Sequence, residues 1–373
     1  MLHVREVRGR ADRKAFIELP WRLHRHDPGW VPPLLISEWE KFDPRRNPFF
    51  DHGSMKLFLA LRDGRVVGRI AAIDDENHLA AHGDNRFFFG FMEAEDAEVA
   101  SRLLAEVEEE ARRLARSAVR GPLNPTMNDG SGLQIDAFGT PPYVMMPFNP
   151  AGYPEWVAAA GYGKVMDLYA WHLDLQKPPA ARITRIAERT ASRTKAVIRH
   201  VDPRRLQDEA RILKRIYDSA WVDNWGFVKY TDREFTHLVN ELKLVLDPRI
   251  AIFVEINGEV VGAAIALPNI NQVLARMNGR LLPSGIVHLL GRRRTVNTAR
   301  LPILGVMPGW RNRGLELLLI DHVVRSARTA GYVGGECSWI LETNHGMNSG
   351  IEATGAQLYK TYRLFEKPVL PAA

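Results

Sequence analysis

The chain has 373 residues and a single cysteine, Cys337. One thiol cannot close a disulfide within the chain, and it excludes a zinc site built from cysteines. No stretch of about 18 unbroken apolar residues exists, so no membrane-spanning helix is expected. The opening MLHVREVRGRADRKAF is basic where a secretory leader would be apolar, so export by a cleaved leader is not expected. No heptad, low-complexity run or short repeat stands out. These absences point to the cytoplasm. A formal net charge of +6 suits anionic partners, whether nucleotides, nucleic acid or an acidic membrane surface.

What is present is a pattern read twice. The length favours two domains of roughly 150–200 residues, each able to enclose a core. In the first half, strands at 56–61 and 66–73 flank Asp63-Gly64, a tight-hairpin signal, and 85–91 makes a third strand. A helix is expected over 97–118, with acids early and arginines late, as the helix dipole prefers. A Pro- and Gly-rich stretch follows, then a short helix at 153–160 and a strand at 165–175. The second half repeats this order. Helices are expected at 204–219 and 232–246, and strands at 250–256 and 260–267 flank Asn257-Gly258. A strand at 301–306, a helix at 315–330, a strand at 336–341, a helix at 348–354 and a strand at 357–367 complete it. Lys177-Pro178-Pro179 is the expected joint, giving domains 1–178 and 179–373. The order implies an α/β fold with helices on both faces of each sheet.

One junction asks for chemistry. In LPILGVMPGWRNRGLELLLID, Arg311-Asn312-Arg313-Gly314 interrupts two apolar runs. A strand, a basic turn and a helix start form a phosphate-binding device, because the first free N–H groups of the helix point outward at its positive end. Pro308 stiffens the approach, and Gly314 lets an anion come close to the backbone. Read alone, the same turn also fits a solvated arginine corner.

The stretch Val306-Met307-Pro308-Gly309-Trp310-Arg311-Asn312-Arg313-Gly314 resembles the coenzyme A pyrophosphate loop of the GNAT acyltransferase superfamily, Gln/Arg-x-x-Gly-x-Gly/Ala after a V-x-P strand end. Arg311 and Gly314 match its first and fourth positions, while Glu316 stands where a small residue is usual. Glu342-Thr343-Asn344, with Met347, Ile351, Gly355 and Ala356, resembles the second signature, in which Asn344 opens the last helix. Ile351 falls where the family often carries an acidic tyrosine. The resemblance implies two tandem GNAT-like domains, each a mixed, mostly antiparallel sheet, with the first a degenerate copy. It implies acyl-CoA held by Leu304, Val306, Arg311, Asn312, Arg313, Gly314, Leu315 and Asn344, with no metal.

Amine attack on a thioester needs an oxyanion donor, expected on the Leu304-Gly305-Val306 strand, and a base. Period two places Glu336, Ser338, Ile340 and Glu342 on one face, so Glu336 is the first candidate base and Glu342 the second. Glu342 could equally pair with Arg363. Tyr359 and Tyr362 face opposite ways, so one of them, taken as Tyr359, can act as acid.

The loop 121–156 offers Asn124, Asn128, Asp136 and Tyr143 for substrate, and Trp339 joins them. Its motifs, with SW..E.N and YR.FEK in the second half, resemble a subgroup of tandem GNAT proteins that includes the bacterial ceramide synthases. That implies a lipid amine as acceptor and no nucleic acid. The basic, apolar insert 272–300 fits a wall for an acyl chain or a contact with an anionic membrane surface. An amphipathic cover over the core fits it as well. Other amine acceptors, including cell-wall precursors, and a non-catalytic acyl-CoA sensor are the alternatives. His78 and His82, four apart in an expected loop, read as surface histidines. Trp21, Trp30 and Trp39 read as part of an extended arm punctuated by Pro28, Pro32 and Pro33.

Overall fold

The computed structural model describes residues 1–281, 285, 288 and 291–369. They pack as two compact units, one of residues 1–168, 274–281, 285 and 360–369, the other of 169–273, 288 and 291–359. The elements of the first half are β1 (Leu2–Glu6), α1 (Gly9–Leu23), α2 (Leu35–Lys41), β2 (Gly53–Arg62), β3 (Arg65–Asp75), α3 (Glu76–His82), β4 (Arg86–Ala94), α4 (Ala97–Arg113), β5 (Ala118–Gly121), α5 (Gly152–Ala159) and β6 (Gly163–Asp174). Those of the second are α6 (Ala181–Thr194), β7 (Val197–His200), α7 (Leu206–Ala220), α8 (Asp232–Leu242), β8 (Ala251–Ile256), β9 (Glu259–Pro268), β10 (Thr298–Val306), α9 (Leu315–Thr329), β11 (Gly334–Leu341), α10 (His345–Glu352) and β12 (Gln357–Pro368).

In the first unit the strands run β1-β2-β3-β4-β5, with the end of β12 beside β5. Asp63 and Gly64 both take positive φ, the backbone that a two-residue hairpin demands, so Arg62 sits opposite Arg65. Helix α4 lays Val99, Leu103, Val107 and Ala111 on the sheet, where they join Phe87, Phe89 and Val119 in one core. In the second unit the order is β6-β11-β10-β9-β8-β7. Leu315, Leu319, Val323 and Ala327 of α9 pack on Val254, Val261 and Ala264. Each core places a long helix over the middle strands, and the antiparallel meander is broken once, by a parallel pair: β4 with β5, and β10 with β11.

Three readings are corrected. Residues 9–23 form a helix with Trp21 on it, not an extended arm. Phe16, Ile17 and Leu19 are buried, and Trp21 meets Trp30 edge-on at 5.5 Å. Residues 181–194, beside the expected joint, form α6. His78 and His82 stand on α3 rather than a loop. Their rings are 4.5 Å apart, and the His78 ring is buried against Phe88 with its Nε2 3.0 Å from Asp84. Burial pushes His78 below the ordinary histidine range.

The start of the insert covers the first unit's own surface. The indole N–H of Trp21 bonds the carbonyl of Asn278, the Leu35 N–H bonds the carbonyl of Gly279, and Met277 is buried. Leu282, Ile286, Val287, Leu289 and Leu290 of that insert lie outside the described residues.

Candidate active site

The site starts from a proline. Strands β10 and β11 pair in parallel only from Thr298 opposite Gly334 to Leu301 opposite Cys337, although both run on, to Val306 and Leu341. On its other edge β10 continues to pair with β9 as far as Val306 opposite Gly262, and the Met307 N–H bonds the carbonyl of Val261. Donors alternate along a strand, so the Gly305 N–H also faces β9 and those of Leu304 and Val306 face the β11 side; between Ile303 and Arg300 the register with β9 shifts by one residue, a bulge that contains Leu301 and Pro302. Position 302 is Pro302, with no N–H to give. The ladder stops at this bulge, and the N–H groups of Leu304 and Val306 look into the gap between diverging strands. Leu304, Ile340, Leu317 and Met347 gather with Ile320 and Ile351 around it, an apolar lining. Trp221 packs on the backbone at Gly305, where a β-carbon would come within 2.5 Å of its ring.

At the end of β10 the chain makes a short helical turn, Pro308–Trp310, and enters α9 through Gly314 at φ 85°. No side chain caps α9, so its first amides keep their outward positive end. Arg313 stacks on Trp310 at 4.7 Å, and Asn312 takes φ 60° to complete the turn. Arg311 has a different employment. Its guanidinium bonds the Ala220 carbonyl at 2.7 Å and meets Asp223 at 3.4 Å, bracing the turn against the end of α7.

The expected alternation holds on β11: Glu336, Ser338 and Ile340 are buried, while Cys337, Trp339 and Leu341 are half-buried. Glu336 is 1% exposed. Its carboxylate accepts from the Ser338 hydroxyl at 2.6 Å and from the Tyr359 hydroxyl. Arg300 lies 3.8 Å away, donates to Ser338 through Nε at 2.8 Å, and sits over the Trp339 ring at 5.3 Å. The cost of burying that side chain is offset by these donors. Next to it, burial pushes the Cys337 thiol up to about 12, so this sulfur is no nucleophile. Glu342 is half-buried in the turn after β11. In the first unit Arg363 forms a two-pronged pair with Asp167 at 2.8 and 2.9 Å. The Asn344 side chain caps α10, accepting from the Met347 N–H at 3.1 Å. Tyr362 is fully buried among the first unit's residues.

Of the residues singled out from sequence, the second unit brings Leu304 and Val306, the turn 311–315, Glu336 with Tyr359, and Trp339 around the gap. Asn124, Asn128, Asp136 and Tyr143 belong to the first unit. Two of these side chains are taken up by main-chain groups: Asn124 accepts from the Phe91 N–H at 2.6 Å, and Asp136 from the Thr361 N–H at 2.7 Å. Asn128 gives its backbone N–H to Thr126, and Tyr143 is half-buried with its carbonyl bound by Met146. Sequence reasoning missed Pro302, Arg300 and Trp221. A proline and an arginine inside an otherwise apolar strand were the available signals.

No family model matches the chain. Over 377 aligned residues it is 38% identical to a Caulobacter vibrioides protein named bacterial ceramide synthase, covering 98% of this chain and 97% of that one. It is 36% identical to protein YghO of Escherichia coli, covering 98% and 95%. A tandem GNAT protein from the clavulanic acid biosynthesis pathway shares the fold over 100% of both chains, with TM-score 0.58 and 13% identity. A GCN5-related N-acetyltransferase from Sphaerobacter thermophilus does so over 100% of this chain and 97% of its own, with TM-score 0.56 and 14% identity.

Proposed function

The chain belongs to the family of the bacterial ceramide synthase, N-acyltransferases of tandem GNAT fold, and from that premise we propose that it joins a long-chain acyl group from acyl-CoA to the amine of a sphingoid base. The observation that carries this reading is the gap opened at Pro302, with the uncapped α9 start at its mouth and the Glu336–Tyr359 pair at its root. A diphosphate suits the amides at Gly314, and the apolar lining suits the thin pantetheine arm and an acyl chain.

In this reading the thioester carbonyl points at the N–H groups of Leu304 and Val306, which stabilise the oxygen as it gains charge. The neutral amine attacks the carbonyl carbon, a C–N bond forms, and the nitrogen then carries one proton too many. Tyr359 accepts that proton as it passes its own to Glu336. As the C–S bond breaks, the same relay in reverse delivers a proton to the departing sulfur, leaving amide and free thiol. Glu336, sealed beneath Tyr359, acts through that hydroxyl; it is Tyr359 that would touch substrate. The carbonyl, the amine and the relay all converge within one unit.

The lipid acceptor and the net charge of +6 support work at the cytoplasmic face of an anionic membrane. Among the described residues no helix is long and apolar enough to cross one. The test is purified protein with palmitoyl-CoA or acetyl-CoA and a panel of amines that includes sphingoid bases, read by mass. N-acylated sphingoid base from palmitoyl-CoA is expected. Acylation of another amine in the panel, with the sphingoid bases untouched, would replace the substrate assignment; no transfer to any amine would leave a binding protein.

A further inference from the structure

We infer that helix α6 completes the anion site, with the Thr190 hydroxyl donating to the diphosphate and Arg193 holding the turn that presents the amides. This rests on the acyl-CoA reading and adds residues to it. In chain order α6 precedes β7, the strand that opens the second half as β1 opens the first. It packs along α9 through Ile183, Ala187 and Thr190, all buried.

Thr190 is 3% exposed. Its hydroxyl oxygen lies 2.7 Å from where a β-carbon on Gly314 would stand, while its own β-carbon and methyl lie at 3.7 Å, so the polar end faces the glycine. Its main-chain carbonyl accepts from Thr194, but its hydroxyl has no hydrogen-bond partner among the described residues. The residue is buried but its oxygen is not sealed off, and it is aimed at the uncapped start of a fifteen-residue helix. One turn further along α6, Arg193 donates to the carbonyl of Arg313 at 2.6 Å. In a trans peptide the carbonyl and the next N–H point opposite ways, so pinning that oxygen toward α6 turns the Gly314 N–H away from it, alongside the free amides of α9.

The ligand chemistry is a phosphate ester carrying more than one charge, which coenzyme A offers both in its diphosphate and in its 3′-phosphate. Calorimetry of the full chain with coenzyme A and with 3′-dephospho-coenzyme A separates them, using Thr190→Val, Thr190→Ser and Arg193→Gln. We expect Thr190→Val and Arg193→Gln to weaken both ligands about tenfold, and Thr190→Ser to stay within about twofold of the native chain. In turnover assays the KM for acyl-CoA should rise by the same factor while kcat stays within about twofold. Undiminished binding by Thr190→Val overturns the inference, as does a loss in Thr190→Ser equal to that in Thr190→Val, which would make packing the cause. A loss confined to coenzyme A moves the contact to the 3′-phosphate and also overturns it. Failure of the native chain to bind either compound sinks the acyl-CoA reading itself.

Discussion

The two halves share a plan and part ways at two places. In the first, helix α4 begins at Asp96, whose carboxylate accepts from the Val99 N–H at 3.0 Å and is paired with Arg62 at 2.7 Å. In the second, α9 begins at Gly314 with no side chain in that position. One helix start is thus satisfied from within and carries a negative charge; the other is left open. The parallel pairs differ likewise. Beyond Phe88 opposite Arg120, β4 leaves β5, but Leu123 and Asn124 fill the divergence: the Leu123 carbonyl lies 1.8 Å from where a β-carbon on Gly90 would stand, and Asn124 takes the Phe91 N–H. Each vacancy that the second half leaves open is filled in the first by its own polar groups.

Making the second helix start like the first gives the largest expected effect. Gly314→Asp places a β-carbon in left-handed backbone against Thr190 and a carboxylate where the anion should sit. Coenzyme A affinity should fall by about a hundredfold or more in calorimetry; adding Arg311→Glu, which also breaks the brace to Ala220, should deepen it. Next comes the proton relay. Glu336→Gln keeps the shape but removes the acceptor of the Tyr359 proton, so kcat should drop about 10²–10³-fold with little change in the KM for acyl-CoA. Tyr359→Phe should cost about as much, and the double variant little more than either, since the pair acts as one unit. Additive losses in steady-state kinetics would separate their roles.

The smallest effect tests the comparison from the other side. Asp96→Gly opens the first helix start, and it should cost only about 0.3 kcal/mol through the cap, seen as a slightly lower Tm. It should not create a second coenzyme A site, because Leu123 and Asn124 still occupy the divergence. A stoichiometry of two in calorimetry would show that the acid alone silences the first half.

Much of this frame was legible in the sequence because turns and periods are local. Asp63-Gly64 and Asn257-Gly258 take the positive φ values that their strands require, and the terminal run of strand, helix and strand fell within a few residues of its limits. Helix α6 did leave a hydrophobic period, Ile183, Ile186, Ala187 and Thr190 recurring at helical spacing among arginines, but it follows directly on Pro178-Pro179, where only a joint was expected. Helix α1 was hidden by Pro20 and the prolines that follow it. The basic turn announced an anion site through Gly314, a matter of backbone. That Arg311 would brace a neighbouring loop and that Glu336 would be sealed under Tyr359 depends on contacts distant in sequence, which no local pattern records.

Pro302 has a last consequence. Its ring nitrogen has no hydrogen to donate, so that one ladder bond cannot form when substrate departs, and the bulge that contains it bends the strand away from its neighbour. The cleft is then a standing feature of the covalent chain, and its empty form should already match the loaded one. Thioester capture should accordingly run at a rate set by encounter, with little refolding of the main chain to wait for.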